Sequence, residues 1–279
     1  MLASRIQKHF PSLTGQQKKI AGQILSLGHE AAFFTISRLA RQFKTSESTI
    51  VRFARALGYK GYPDLQKDLQ DGIRQKLSPP EAFQHSMAKV KEADLYSKIF
   101  EQDLENLTKT RELNSNQAID RVVQEILRAR KVGITGFRSS HPLANLLYLL
   151  LGQVRKNCEL LEFSLGSLPN QIIHYGPEDL LIAISLPRYS RQTLASLQYA
   201  KKNRCRTIGV TDSPISPIGQ IADIVLLVES QSSTYFNSLA SAITLMNCLV
   251  AGVSLKNKNS LETLKMVNKV MSDWRYHLM

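Results

Sequence analysis

Apolar residues recur at helical spacing over the first quarter of the chain. Ile6, Phe10, Leu13, Ile20, Ile24 and Leu27 supply one stripe, and Thr14 is placed to cap a helix starting near Gln16. Ile36, Leu39, Ala40 and Phe43 share a second face, and Ile50, Phe53, Ala54 and Leu57 a third. Ser46, between the last two, is a good N-cap, with Thr49 three residues on. Gly58 stands where a helix commonly ends on a left-handed residue. After Gly61, Tyr62-Pro63-Asp64 opens another helix running towards Leu77. The pattern predicts an all-helical domain over residues 1–77.

Residues 78–96 contain Pro79-Pro80 and little apolar density, which predicts a linker. Over 97–279 the pattern changes. One or two helices run to about Arg130, and apolar strand-like runs then alternate with helical stretches. The predicted strands are 131–136, 158–163, 179–186, 206–211 and 223–229. The predicted helices are 142–156, 167–175, 191–203, 216–222, 236–255 and 260–276. Strands this apolar, separated by helices, predict a parallel sheet covered on both faces. The fold class is α/β, a doubly wound parallel sheet behind a helical N-terminal domain. Such sheets bind ligands beyond the carboxyl ends of their strands, which singles out the loops after Gly136, Leu186, Thr211 and Glu229.

Charge sharpens the division. Residues 1–77 hold 13 Lys and Arg against 5 Asp and Glu, and the other 202 residues hold 23 against 18. Most of the net +13 therefore lies in about a quarter of the chain, as expected of a nucleic-acid-binding end. A content of 43% hydrophobic residues is enough for two cores. The longest apolar run, near Leu143 to Leu151, is too short to span a membrane. MLASRIQKHF has no leader-like apolar segment, so a cytoplasmic protein is expected. Cys158, Cys205 and Cys248 are single and far apart, which predicts reduced packing residues. The six histidines lack ligand spacing, so neither a metal nor a cofactor is expected.

The two helices around Ser46 are close enough for a helix-turn-helix. The second has an outward face of Ser46, Glu47, Ser48, Thr49, Arg52 and Arg55, with Lys60 beyond its end. Short polar groups at the start of a recognition helix meet base edges, and cations further along meet phosphates. The plainer alternative is a surface hairpin with a solvated basic face. Charge asymmetry and turn length favour double-stranded DNA.

Two loops of the α/β domain also carry chemistry. Gly136-Phe137-Arg138-Ser139-Ser140 opens one helix, and Ser185-Leu186-Pro187-Arg188-Tyr189-Ser190-Arg191-Gln192-Thr193 opens another. Glycine permits a sharp turn, and hydroxyls beside free helix N–H groups hold anions. Either Ser140 or Ser190 alone reads as a simple cap. Two such starts at one end of a sheet favour an anionic small molecule, with Gly136, Arg138, Ser139, Ser140, Ser185, Arg188, Ser190, Arg191 and Thr193 as its candidate residues.

The order of helix-turn-helix, linker and α/β domain resembles the RpiR-type bacterial transcription regulators, whose second domain is a phosphosugar-binding SIS fold. LARQFKTSESTIVRFARALGYKGYPDLQKDL is similar to that family's DNA-binding signature, and TDSPISPIGQIAD to a later region. GFRSS resembles the family's first serine loop, usually glycine-x-glycine-x-serine, which puts Ser140 at the phosphate-contacting serine. Ser190 to Thr193 resembles the second, usually serine-glycine-x-threonine. The likeness covers nearly the whole chain. Four departures stand out: Arg138 replaces a glycine, Arg191 replaces another, Gln192 replaces a frequent glutamate, and Pro187-Arg188-Tyr189 lengthens the second loop.

The resemblance implies a regulator that binds operator DNA as a homodimer or homotetramer and senses a phosphosugar or sugar acid. SIS folds also form aldose–ketose isomerases, which need a base. Gln192 is not one, and Glu162, Glu178, Glu229 and His174 are alternatives, so no catalytic residue is assigned. A regulator with an inert dimerisation domain remains a third reading.

Overall fold

Among the described residues of the first unit, Met1–Ala82, the helical stripes become α1 (Leu2–His9), α2 (Gly15–Leu27), α3 (Ile36–Gln42), α4 (Glu47–Ala56) and α5 (Tyr62–Arg74). The computed structural model describes residues 2–27, 31–32, 34–74, 80, 83, 94–162 and 167–275. The continuation of α5 beyond Arg74 and most of the 78–96 linker lie outside them.

Leu39, Ala40, Phe43, Ile50, Phe53, Ala54 and Leu57 close one core with Ile20 and Ile24. Phe10, expected in that stripe, is 44% exposed, because the chain leaves α1 in a tight turn at Pro11 and Lys18 covers the ring from 5.3 Å. Thr14 caps α2 reciprocally: its hydroxyl accepts from Gln17 N–H (3.3 Å), and Gln17 Oε1 accepts from Thr14 N–H (2.9 Å). Both helices of the turn motif end in the same way. Gly58 N–H donates to Arg55 O and Tyr59 N–H to Ala54 O, with Gly58 at φ +83°. After α3 the same pair runs from Lys44 to Arg41 and from Thr45 to Ala40, with Lys44 at φ +49°.

The second unit is Phe83–Met279. It runs α6 (Leu95–Leu113), α7 (Asn116–Arg128), β1 (Val132–Thr135), α8 (His141–Val154), β2 (Cys158–Leu161), α9 (Ser167–Ile172), β3 (Leu180–Ile184), α10 (Arg191–Lys202), β4 (Arg206–Thr211), β5 (Ile224–Leu227), α11 (Ala240–Lys256) and α12 (Ser260–Asp273). Leu95 and Tyr96, read as linker, therefore open a helix. The five strands are all parallel, in the order β2-β1-β3-β4-β5. Alternate strand residues feed two cores. Val132, Ile134, Ile182 and Val210 meet α7, α8 and α11, whereas Leu161, Leu181 and Ala183 meet α9 and α10.

Two expected helical stretches fail locally. Residues 216–222 form successive turns: Pro217 has no N–H to give, and a Cβ on Gly219 would lie 2.6 Å from Ser213 O. Residues 236–239 are loop rather than the start of α11, because Ser238 N–H donates to Ser230 O (3.1 Å) and its Oγ to Asp103 (2.5 Å). The apolar faces of α8 and α11, including Leu143, Leu147, Leu245 and Leu249, lie in the intrachain core. No helix among the described residues is long and apolar enough to cross a membrane.

Candidate functional site

In the first unit, Ser46 caps α4, its hydroxyl accepting from Thr49 N–H (3.2 Å). Ser46, Glu47, Ser48, Arg52 and Arg55 are exposed along the helix, and Lys60 is exposed beyond it. Thr49 departs from the expectation. It is 8% exposed, and its hydroxyl contacts Ser46 Oγ (2.8 Å) and accepts from Arg52 Nη2 (3.3 Å). It stands four residues before Phe53, on the core-facing side. No described carboxylate pairs with the side chains of Arg52, Arg55 or Lys60.

In the second unit, the strand order reverses between β1 and β3, so their following loops diverge and leave a crevice. Gly136 begins the first loop; a Cβ there would sit 2.8 Å from Ser140 O and 3.1 Å from Ile184 O. Ser140 is 3% exposed and caps nothing. Its hydroxyl instead accepts from Leu186 N–H (3.2 Å), tying the two loops together. Ser190 is a cap for α10, accepting from Thr193 N–H (3.5 Å) and donating to Gln192 Oε1 (2.8 Å). Ser185 is buried, and Ser139 and Arg191 are exposed.

Arg138 and Arg188 are exposed and hold backbone φ of +57° and +68°. Neither they nor Arg191 pair with a described carboxylate. Glu162 faces His141 (3.7 Å), and Glu178 lies 3.9 Å from Arg130 at the amino end of β3, the far end of the sheet. Among the described residues, three buried side-chain polar atoms have no hydrogen bond: Thr135 Oγ1, Thr193 Oγ1 and Arg206 Nε. The arginine is 3.5 Å from Glu125. The two threonines both belong to this site: Thr135 ends β1, and Thr193 lies in the first turn of α10.

Four site residues escaped the sequence reading. Tyr189 OH donates to Asp212 (2.9 and 3.2 Å), and Asn237 Nδ2 donates to Pro187 O (3.3 Å). Both hold the lengthened loop against its neighbours. Burial pushes the Asp212 carboxyl above the ordinary range, and the Tyr189 and Thr211 hydroxyls only partly offset it. The fourth is Thr135, a polar end to an apolar strand.

Residues 1–76 match the family model described as the helix-turn-helix domain of the rpiR family, and residues 125–254 match the SIS domain. The chain belongs to the RpiR-type transcription regulators. One relative, the HTH-type transcriptional regulator HexR of Pseudomonas aeruginosa, is 26% identical, covering 99% of this chain and 98% of that one. The sugar isomerase domain of an RpiR transcription factor from Sphaerobacter thermophilus superposes with a TM-score of 0.61 at 29% identity, covering 63% of this chain and 99% of that one. Vibrio vulnificus NanR, solved with ManNAc-6P, superposes with a TM-score of 0.59 at 21% identity, covering 97% and 98%. In this RpiR-type chain Arg138 holds a left-handed backbone conformation, φ +57°, which glycine adopts without strain.

Proposed function

We propose that the SIS unit senses an anionic metabolite, a phosphosugar or phosphorylated sugar acid, and that its binding alters operator affinity in the cytoplasm. The observation that carries this reading is the pair of buried hydroxyls of Thr135 and Thr193, which have no hydrogen-bond partner among the described residues, at the end of the sheet whose loops carry Arg138 and Arg188. A buried hydroxyl without a partner costs about 1–3 kcal/mol, and an incoming oxygen relieves it. Guanidinium groups favour a charged ligand over a neutral one. NanR, solved with a phosphorylated sugar, has the same fold. The regulator reading is favoured over an isomerase because Gln192 is no base and Glu178 sits at the wrong end of the sheet.

Calorimetry with phosphosugars, sugar acids and dicarboxylates tests the proposal on wild type and Arg138→Ala. At least one anion binds, and Arg138→Ala weakens it by roughly 1.5–3 kcal/mol, the range for a charge-assisted hydrogen bond. A neutral sugar as the tightest ligand, or tighter anion binding by Arg138→Ala, makes the arginine a plug and sinks the reading.

A further inference from the structure

A second basic feature lies in the helix-turn-helix unit, away from the outward face of α4. Gly15, Gln16, Lys18, Lys19, Gly22 and Gln23 of α2 line one side of a cavity of about 900 Å³, and Phe43, Lys44 and Thr45 of the α3–α4 turn line the other. Three lysines line it and no carboxylate does. None of the three pairs with a described acidic side chain. Gln16 Nε2 donates to Thr45 Oγ1 (3.0 Å), which holds the start of α2 against the turn. Lys44 occupies φ +49°, a conformation that glycine would adopt without strain.

We infer that this lysine-lined groove cradles a phosphate of the DNA backbone and sets the register of α4 on the duplex. Lys44 and Thr45 directly precede Ser46, the cap of α4, so a phosphate held there lies beside the base-facing start of that helix. Most of the lining residues are exposed, which makes it a groove for a polymer's edge rather than a chamber for a metabolite. The first turn of α2 adds its positive dipole end. Phosphate contacts position a protein without reading sequence, so the cradle contributes affinity and not base preference. The inference rests on the reading of α4 as the recognition helix.

The test measures binding of the full chain to operator and to unrelated duplex by fluorescence anisotropy across a salt series. The variants are Lys18→Gln with Lys44→Gly, Lys18→Gln alone, and Arg52→Ala. Lys44→Gly removes the charge while suiting the left-handed backbone, and Lys18→Gln alone keeps the test if the double variant melts early. The double variant loses about one unit of slope in log K against log salt, and about fivefold in affinity near 150 mM, on both duplexes alike. A wild-type slope in the double variant, with Arg52→Ala reduced, overturns the cradle and leaves α4 in place. No salt-dependent binding by wild type overturns both. Inorganic phosphate that raises the melting temperature of wild type but not of the double variant, with the DNA slope unchanged, makes the groove a free-anion site and also overturns the inference.

Discussion

Thr193 states the sensor argument most sharply. Its side chain is 0% exposed and its hydroxyl has no hydrogen-bond partner among the described residues. Valine has nearly the same shape without the hydroxyl. Thr193→Val therefore leaves the melting temperature of the ligand-free protein unchanged or higher, yet weakens the anion about fivefold, the effect of one ordinary hydrogen bond. Calorimetry and thermal melts on one preparation check both halves. A lower melting temperature with unchanged affinity makes the hydroxyl structural. The sequence showed this residue as a family-like position, but its lack of a partner depends on how α10 is seated. Thr49 teaches the reverse lesson. Its spacing from Phe53 places it on the core side, whereas its polarity points outward. For short hydroxyl residues near a cap, spacing is the better guide, because the cap absorbs the hydroxyl.

Asp179 gives the pH-dependent case. Burial alone would raise its carboxyl, but Arg130 (3.0 and 2.9 Å) and Gly176 N–H (2.9 Å) more than offset that and hold it below the ordinary carboxylate range. A carboxyl lowered on folding adds stability above its unfolded pKa and loses it as pH falls through the folded value. Asp179→Asn thus melts earlier than wild type at neutral pH, and the gap narrows towards pH 3. A gap that stays constant across that range would show that the carboxylate charge is not what matters.

At the scale of elements, Arg155 joins two helices. It follows α8, is largely buried, and donates from Nε to Ile126 O (2.9 Å) and from Nη1 to Lys156 O (2.7 Å) and Asn157 O (3.2 Å). Its second Nη reaches Ala129 O, so the end of α7 is bound by a cation where the helix dipole is negative. Arg155→Met keeps the apolar stem and leaves these carbonyls without their donor. A loss of roughly 2–4 kcal/mol in urea unfolding is expected, since each bond to a charged donor contributes about 1.5–3 kcal/mol and partial rehydration offsets the rest. The strands were legible because buried parallel strands are continuously apolar. The turns at 216–222 were not, because Gly219 is required by the approach of Ser213 and Pro214 carbonyls rather than by any local pattern. Residues 236–239 stay out of α11 for a similar reason: Ser238 is hydrogen-bonded to Asp103 of α6, 135 residues away along the chain.

The whole molecule places a basic helix-turn-helix unit and an α/β unit on one chain, and the need for specificity sets its assembly. One recognition helix reads only a few base pairs, so useful discrimination requires at least two. One side of α8 and of α11 is consumed inside the chain, and both helices keep exposed apolar groups, Leu149 on the first and Ile243 and Leu255 on the second. Tyr96, Phe100 and Leu104 recur every four residues on the solvent side of α6, and Phe100 is 73% exposed. Leu261, Met266 and Trp274 are exposed on and just beyond α12. Light scattering of the full chain at micromolar concentration therefore gives two or more chains per particle, and footprinting gives a palindromic site with half-sites about one helical turn apart or a multiple of it. The particle mass is independent of ligand, whereas operator affinity changes when the anion is added. By linkage, the operator then changes affinity for the anion by the same factor. A monomer that protects a single half-site with full specificity would remove the symmetry argument, and unequal coupling factors in the two directions would show that the binding equilibria are not one linked system.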